Sequence, residues 1–212
     1  VWTRYKPIEF QDFLSSEEKR MESWKIKLEL DAVMKKATPN EGHNALYSLH
    51  TLDKLMTIIT QNIDGLHQIS GVPAEKIIEL HGNSTYAACL DCKKRYEIIE
   101  VKSLIDKTGK SPSCDTCGGY IKTATISFGQ AMPEVEMDRA ETASLECDLF
   151  IAIGSSLVVY PAAGFPVLAK ENGAKLIIVN RDPTPLDAIA DLVINDEIGA
   201  VFGETVISLQ RI

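Results

Sequence analysis

The stretch "LMTIITQNIDGLHQISG", Leu55 to Gly71, carries the strongest indication of the fold. Its first six residues are all apolar or β-branched, which is the composition of a strand buried on both faces. Polar residues follow at once: Gln61, Asn62, Asp64 and His67. In parallel α/β sheets, ligands bind beyond the carboxyl ends of the strands. The stretch therefore predicts that polar side chains past Thr60 line a ligand site.

Length and charge limit the class of protein. The chain has 212 residues, of which 45% are hydrophobic, and this is enough for one domain with an insertion or for two small domains. Its net charge of -8 argues against general nucleic-acid binding, which needs a basic surface. Basic protein segments match this charge better. We therefore expect a protein or peptide partner and no direct binding of nucleic acid.

The sequence also indicates a compartment. It contains no apolar run of about 18 residues, and its start, "VWTRYKPIEF", lacks the apolar core of a signal peptide. We expect no membrane span and a cytoplasmic location. The chain has 5 cysteines, so disulfide pairing would leave one over, and the Cys-x-x-Cys spacing of four of them favours a metal site.

Apolar runs alternate with helical patterns along most of the chain. This alternation predicts an α/β protein with a Rossmann-like, doubly wound parallel sheet. The predicted strands lie at Met56–Thr60, Lys76–Gly82, 123–129, 148–161, 174–180 and 191–195. The predicted helices cover Phe10–Ala37, a segment capped by Asn40, Val135–Leu145 and Ala162–Asn172. In the second of these, His43 and His50 are interpreted as surface residues or as side chains with satisfied partners.

Three further strand ends resemble the one after Thr60. They are "LHGN" from Leu80, "GSSLVVYP" after Ile153 and "NRDPTP" after Val179. Polar or glycine-rich segments at four strand ends indicate a ligand site more strongly than any one of them.

The sheet pattern breaks off between Ser84 and Ala124, where the two Cys-x-x-Cys pairs lie. Four thiolates match the closed tetrahedral sites of zinc ribbons, whereas a catalytic zinc needs an open position and a redox dithiol needs only one pair. We predict one structural Zn²⁺ held by Cys89, Cys92, Cys114 and Cys117. Cys147 is interpreted as a small buried hydrophobic residue and not as a nucleophile.

Together, "TQNIDGLH", "ELHGN", the paired cysteine motifs, "FGQAMP", "GSSLVVYP" and "VNRDPTP" resemble the sirtuins, the NAD-dependent protein deacylases. The resemblance runs to about Leu209. It implies a Rossmann-like large domain and a small domain that is made of a zinc-ribbon module and a helical module. The implied boundaries are 1–37 for the helical module, 38–83 and 126–212 for the large domain, and 84–125 for the zinc module.

The resemblance implies a reaction in which the acyl group of lysine passes to ADP-ribose and nicotinamide is released. His81 matches the catalytic histidine, and an imidazole with a pKa near 6.5 suits a general base at neutral pH. Asn62 and Asp64 match residues of the nicotinamide pocket that take part in catalysis, and Gln61 matches a ribose contact. Ile63 is also assigned to the NAD site, and His67 is interpreted as structural.

The resemblance assigns further positions to NAD and to an acylated lysine peptide. The remaining NAD positions are Gly154, Ser155 and Ser156 near phosphate or ribose, Asn180 and Arg181 near the adenosine ribose, and Ile198 near adenine. The peptide would pair as an added strand with Ile126, Phe128 and Gly129 on one side and Val158, Val159 and Tyr160 on the other. Gln130 stands where the family usually has glutamate.

Acyl preference is predicted from the helical module. Sirtuins that remove succinyl or malonyl groups carry a Tyr-x-x-Arg pair, whose guanidinium binds the acyl carboxylate. Lys27 and Leu30 stand at the equivalent positions, so the resemblance implies neutral acyl groups and acetyl first.

Residues 1–212 contain no counterpart of the family's first strand and its Gly-Ala-Gly-x-Ser loop, which holds NAD. In the sheet order 3-2-1-4-5-6 that strand is central, so we expect two half-sheets with unpaired edges, or another element between them. We also expect the numbering to start inside a longer protein and this segment to bind NAD poorly. Two alternatives to a deacylase stay open: a non-catalytic zinc-stapled nucleotide or peptide binder, and an NAD-dependent ADP-ribosyltransferase.

Overall fold

The computed structural model describes residues 6–209, and they form two compact units. Among these residues, the first unit comprises 6–37, Gln61–Gly65 and His81–Pro133, and the second comprises Thr38–Thr60, Leu66–Leu80 and 134–209. The division at Ala37 coincides with the predicted boundary. The short segments Gln61–Gly65, 81–83 and 126–133, which we expected in the large domain, belong to the first unit.

The helices and strands follow one another along the chain in this order: α1 (Phe10–Ser15), α2 (Glu17–Met34), α3 (Glu41–Thr51), β1 (Ile58–Thr60), α4 (Leu66–Ile69), β2 (Ile77–Glu79), β3 (Gly82–Cys89), β4 (Arg95–Glu97), α5 (Ile98–Thr108), β5 (Ile121–Thr125), α6 (Glu134–Glu146), β6 (Leu149–Ile153), α7 (Phe165–Glu171), β7 (Lys175–Val179), β8 (Leu192–Ile194) and α8 (Ile198–Leu209). Short 3₁₀ turns lie at Ala74–Lys76, Ala162–Gly164 and Asp187–Ile189. No helix in the part of the chain that the structure describes is long and apolar enough to cross a membrane.

The first unit contains an antiparallel sheet in the order β4-β3-β5. Helix α2 packs on this sheet through Trp24, which is 2% exposed and shares one core with Ala87, Val101 and Ile121. Arg20, also buried, donates to the carbonyl oxygens of Phe13 and Leu14 at 2.9 and 3.0 Å and so ties α1 to α2. The predicted helical module and zinc module thus share a single core.

Two sequence predictions need correction in the first unit. The predicted helix Phe10–Ala37 is interrupted at Ser16, whose backbone is extended and whose hydroxyl accepts from Lys19 N at 3.3 Å as the cap of α2. The apolar run 123–129 was predicted as a strand of the parallel sheet. Its first part instead belongs to β5, which pairs with β3 in the antiparallel sheet.

The second unit contains two separate parallel sheets, β1-β2 and β6-β7-β8. Two parallel half-sheets are the arrangement expected from the sequence. Helix α3 begins at Asn40, which accepts from His43 N at 3.1 Å, while His43 Nδ1 accepts from Asn40 N at 3.2 Å. His43 thereby completes a capping box, so it has a structural partner as we interpreted.

Candidate active site and metal centre

The cysteines of the two Cys-x-x-Cys pairs come together in the first unit. All four sulfur atoms lie within 4.8 Å of one another. Sγ of Cys89 is 3.4 Å from Sγ of Cys117, and Sγ of Cys92 is 3.6 Å from Sγ of Cys114. Tetrahedral Zn²⁺ with Zn–S bonds of about 2.3 Å would separate its ligands by about 3.8 Å. The donor set therefore fits one closed, four-coordinate zinc site.

The same backbone turn shapes both pairs. The carbonyl oxygen of Cys89 accepts from Lys93 N at 3.2 Å, and that of Cys114 accepts from Gly118 N at 2.9 Å. The residue after each second cysteine is left-handed, with φ of 63° at Lys93 and 78° at Gly118. A non-glycine residue in this conformation costs roughly 1–2 kcal/mol. The matching turns indicate that both pairs are shaped to aim two sulfurs at one point.

A second layer of polar groups surrounds the sulfurs. The hydroxyl oxygen of Tyr96 lies 3.1 Å from Sγ of Cys114 and 2.5 Å from Oδ1 of Asp115, which is also 2.7 Å from Lys94 Nζ. The Tyr96 hydrogen bond lowers the pKa of Cys114 to about 6 and so favours the thiolate that a metal requires. The Gly119 N–H lowers the pKa of Cys117, but the neighbouring sulfurs outweigh it and raise that pKa to about 12. A bound cation would relieve this crowding of sulfurs.

The segment after β1 meets the start of β3 within the first unit. His81 Nδ1 lies 3.1 Å from the carbonyl oxygen of Gln61, and the carbonyl of Ile63 accepts from Ser84 N at 2.8 Å. The structure therefore brings His81 together with the segment of predicted NAD residues Gln61, Asn62, Ile63 and Asp64. Asn62 is exposed and Asp64 is half-buried, so both side chains are accessible.

The hydrogen bond of His81 selects its tautomer. A carbonyl oxygen can only accept, so Nδ1 of His81 carries the proton when it binds the carbonyl of Gln61. Nε2 of the neutral ring is then the lone-pair nitrogen, which is the atom available to take up a proton. Because His81 is half-buried, part of this residue stays accessible to solvent.

Position 82, directly after this histidine, requires glycine for steric reasons. Its φ is +71°, and a Cβ added there would lie 2.0 Å from the carbonyl oxygen of Ala124. No side chain can therefore be placed at Gly82 without moving β5. The neighbouring segment continues from this contact, because Ile126 N donates to the carbonyl of His81 at 2.9 Å.

The predicted peptide-binding segment of the first unit follows β5. Phe128 is 65% exposed, and its carbonyl accepts from Phe10 N at 2.9 Å. Gly129 is left-handed with φ of 75°, and Gln130 Oε1 accepts from Ser127 N at 3.1 Å. This turn holds Ile126 to Gly129 as an ordered segment with an exposed aromatic ring.

The remaining predicted NAD residues lie in the second unit. Gly154, Ser155 and Ser156 follow β6, Asn180 and Arg181 follow β7, and Ile198 begins α8. Gly154 N donates to the carbonyl of Val179 at 2.8 Å, so the segments that begin with Gly154 and Asn180 are adjacent. A Cβ on Gly154 would lie 2.7 Å from Cδ1 of Ile198, and one on Gly42 would lie 2.6 Å from Cγ2 of Ile198. Ile198 therefore packs against two glycines. Arg181 is exposed and pairs with Asp182 at 3.4 Å.

The loop after Gly154 is anchored by a residue that sequence reasoning missed. Leu157 has φ of 54°, and its buried side chain packs in the core of β6 and β7 with Ala152 and Ile178. Its N–H donates to Ser155 Oγ at 3.3 Å. The residues on either side are outside this core: Ser156, Val158, Val159 and Tyr160 are all exposed. Leu157 thus fixes the loop. Its positive φ and its burial show this in the structure, whereas the sequence gives no sign of it.

Lys27 and Leu30 lie on α2, where the sequence placed the acyl-selecting positions. Lys27 is buried, with Nζ 2.9 Å from Oδ1 of Asp31, and Lys35 binds the other carboxylate oxygen at 2.8 Å. Hydrogen bonds from these two lysines outweigh desolvation and keep the pKa of Asp31 below its usual value. The charge of Lys27 is therefore already compensated within α2.

A four-cysteine antiparallel sheet in one unit and parallel α/β half-sheets in the other define the class of Rossmann-like α/β proteins that contain a zinc-ribbon module. Residues 1–161 match the model of the Sir2 family. An NAD-dependent protein deacetylase 1 of Bradyrhizobium diazoefficiens is 54% identical over 96% of this chain and 80% of its own length. An NAD-dependent protein deacetylase of Rhodopseudomonas palustris is 52% identical with the same coverage. The chain belongs to the Sir2 family, the sirtuins.

Solved structures agree with this assignment. A Sir2 complex with a p53 peptide and NAD⁺ matches with a TM-score of 0.85 and 34% identity, over 96% of this chain and 82% of that one. A Sir2 bound to an acetylated peptide matches with a TM-score of 0.86 and 34% identity, over 95% and 82% of the two chains. The predicted fold class, a Rossmann-like doubly wound α/β protein with a zinc-ribbon and helical domain, is confirmed.

Proposed function

We propose that the protein is an NAD-dependent protein lysine deacetylase. The observation that carries the reaction chemistry is the contact between His81 Nδ1 and the carbonyl oxygen of Gln61, which leaves Nε2 as the base. Relatives at 54% and 52% identity that bear this activity in their names support the assignment.

His81 accepts the proton of a hydroxyl that must become a nucleophile. The bond to Gln61 holds the ring in one orientation and keeps the tautomer constant during the transfer. Asn62 and Asp64 follow Gln61 in the same segment, and an amide and a carboxylate suit a carboxamide ligand through complementary hydrogen bonds. The first unit therefore supplies the base and the polar groups that orient the reacting end of the cofactor.

NAD supplies the ADP-ribosyl group that accepts the acyl group as nicotinamide is released. Residues of the second unit suit the phosphate, ribose and base groups of a dinucleotide. Gly154 exposes backbone beside Ser155 and Ser156, whose hydroxyls suit phosphate or ribose, and Asn180 and Arg181 follow the adjacent strand. Ile198 supplies an apolar surface for a base. Zinc, held by the four cysteines, stabilises the first unit and takes no part in the reaction.

The substrate is an acetylated, or otherwise neutrally acylated, lysine in a protein or peptide. Ile126 to Gly129, which is exposed at Phe128 and Gly129, and Val158 to Tyr160, which is exposed throughout, suit an added strand in each unit. The four cysteines bind zinc only while they are reduced, and cytoplasmic thiols are kept reduced, so the zinc site supports a cytoplasmic location.

The test is incubation of the zinc-loaded protein, extended by the family's first strand and Gly-Ala-Gly-x-Ser loop, with NAD and an acetyl-lysine peptide. The unextended protein and the unacetylated peptide are the controls. We expect equal amounts of nicotinamide, deacetylated peptide and acetylated ADP-ribose. Nicotinamide release with a peptide that gains ADP-ribose and keeps its acetyl group would favour the transferase instead. Binding of NAD without any product would leave the non-catalytic binder as the correct function.

A further inference from the structure

Lys122 on β5 is a buried lysine, and none of the acidic side chains that the structure describes is paired with it. It is only 4% exposed and lies opposite Ala88 of β3. In the part of the chain that the structure describes, its Nζ makes one polar contact, a 2.5 Å hydrogen bond to the carbonyl oxygen of Thr125. Burial lowers the pKa of Lys122 to about 8. Burying an ammonium group with so little compensation costs stability, so an apolar side chain would suit the fold better.

The carbonyl that Lys122 binds stands at an irregular place in the sheet. Gly82 is opposite Thr125 and Ala87 is opposite Thr123, so Ala124 alone faces the four β3 residues between Gly82 and Ala87. A bulge of this kind leaves backbone groups without their regular ladder partners. The ammonium of Lys122 supplies a donor where the ladder does not.

This bulge between β3 and β5 lies next to His81 in the structure. Thr125 precedes Ile126, whose N–H donates to the carbonyl of His81 at 2.9 Å. Gly82 brings the backbone after His81 close to β5, since a Cβ built there would lie 2.0 Å from the carbonyl oxygen of Ala124. A change in the Thr125 peptide is therefore passed directly to the backbone of His81 and to the segment that follows β5.

We propose that Lys122 is a positioning residue that holds the Thr125–Ile126 peptide, and through it His81 and the substrate segment Ile126 to Gly129, in the reactive arrangement. The inference rests on the proposed deacetylase function for its kinetic consequence. Its structural consequence, the order of the Ile126 peptide, is independent of any activity.

The test compares Lys122→Met, which keeps the length and removes the donors, with Lys122→Arg, which keeps charge and donors. Lys110→Met is the matched control, because Lys110 is an exposed lysine of the same unit. Hydrogen exchange at the Ile126 amide, zinc content, kcat and the KM for NAD and for peptide are measured on each protein.

We expect Lys122→Met to bind zinc normally, to lose about tenfold in Ile126 protection and about tenfold in kcat, and to keep its KM for NAD within about twofold. Lys122→Arg should recover at least about half of both losses, and Lys110→Met should match the unaltered protein. If Lys122→Met does not fold, Lys122→Gln replaces it, since its amide can donate but carries no charge. Glutamine is expected to fall between methionine and arginine.

A folded, zinc-loaded Lys122→Met protein with unaltered Ile126 protection and kcat would overturn the proposal. So would an Arg variant no better than Met in both measurements. If the otherwise unaltered protein, extended by the first strand and glycine-rich loop, releases no nicotinamide, the proposed function fails, while exchange at Ile126 still decides the role of Lys122.

Discussion

Nε1 of Trp24 donates to the carbonyl oxygen of Ile121 at 3.2 Å, and this bond joins α2 to the strand that follows the second cysteine pair. Trp24 packs in the same core as the zinc ligands Cys89 and Cys114. Arg20 reinforces the junction, with its guanidinium 3.9 Å from the ring centre of Tyr120. The helices of the first unit therefore depend on the shape of the metal module.

Removal of zinc should change the environment of Trp24. Without the cation, four adjacent thiols lose their common partner and the small core around them loosens, because metal binding and folding are coupled in such modules. In a Trp2→Phe variant, Trp24 is the sole tryptophan. We expect its emission to shift to longer wavelength on chelation and to return when one equivalent of zinc is added. Unchanged emission after complete zinc loss would contradict a shared core.

Gly82→Ala should destabilise the protein more than Gly109→Ala. Both glycines are left-handed, with φ of 71° and 65°, but only Gly82 faces a backbone atom, whereas no atom lies within 4 Å of a Cβ at Gly109. We expect about 1 kcal/mol of unfolding free energy to be lost at Gly109 and about 3 kcal/mol or more at Gly82. Urea unfolding of the zinc-loaded variants measures both. Equal losses would show that β5 moves aside freely.

In the protein extended by the first strand and glycine-rich loop, His81→Ala should abolish turnover while NAD binding persists. The ring acts as a base after the ligands are bound, so its loss should lower kcat by about 10²- to 10⁴-fold and change NAD affinity little. Calorimetry with NAD and product analysis with acetyl-lysine peptide separate the two effects. A variant with most of its kcat intact would remove His81 from the proposed mechanism.

Acetyl-lysine should be a better substrate than succinyl-lysine. A succinyl carboxylate needs a cationic partner, but Lys27 is paired with Asp31 at 2.9 Å, and Leu30 has no hydrogen-bonding group. We expect kcat/KM for the acetyl form of one peptide to exceed that for the succinyl form by at least about tenfold. Faster removal of succinyl would mean that another cation serves this role.

Asp191→Asn should destabilise the second unit at neutral pH. The carboxylate of Asp191 binds Lys170 and Lys175 and accepts from Leu176 N at 2.8 Å, and these contacts lower its pKa, with Lys170 the largest cause. A lowered folded pKa gives stability that is complete above the unfolded value of about 3.9 and is lost as pH falls through the folded value. The Tm difference between the two proteins should therefore be largest near neutral pH and shrink below about pH 4. Glu171→Gln, at an exposed position on α7, is the control. A Tm difference independent of pH would exclude the charge as the cause.

Features that depend on local spacing were predicted from the sequence. Two Cys-x-x-Cys pairs already contain the turns that aim sulfurs at a metal, and Asn40 caps α3 through contacts three residues away. The buried strand before Gln61 and the polar residues after it likewise predicted a parallel α/β sheet, because strand period and turn chemistry are local properties. The assignments of NAD and peptide residues stay predictions that the proposed experiments test.

The tertiary structure decided which distant groups meet. It placed the Gln61 carbonyl on the ring of His81, Trp24 on Ile121, and Ala124 against Gly82. It also paired β5 with β3, although the apolar run 123–129 suggested a strand of the parallel sheet. It buried Lys122, although lysine is usually an exposed residue. Such contacts depend on packing between residues far apart in the chain, which fixes burial, tautomer and available space, and local sequence carries no record of them.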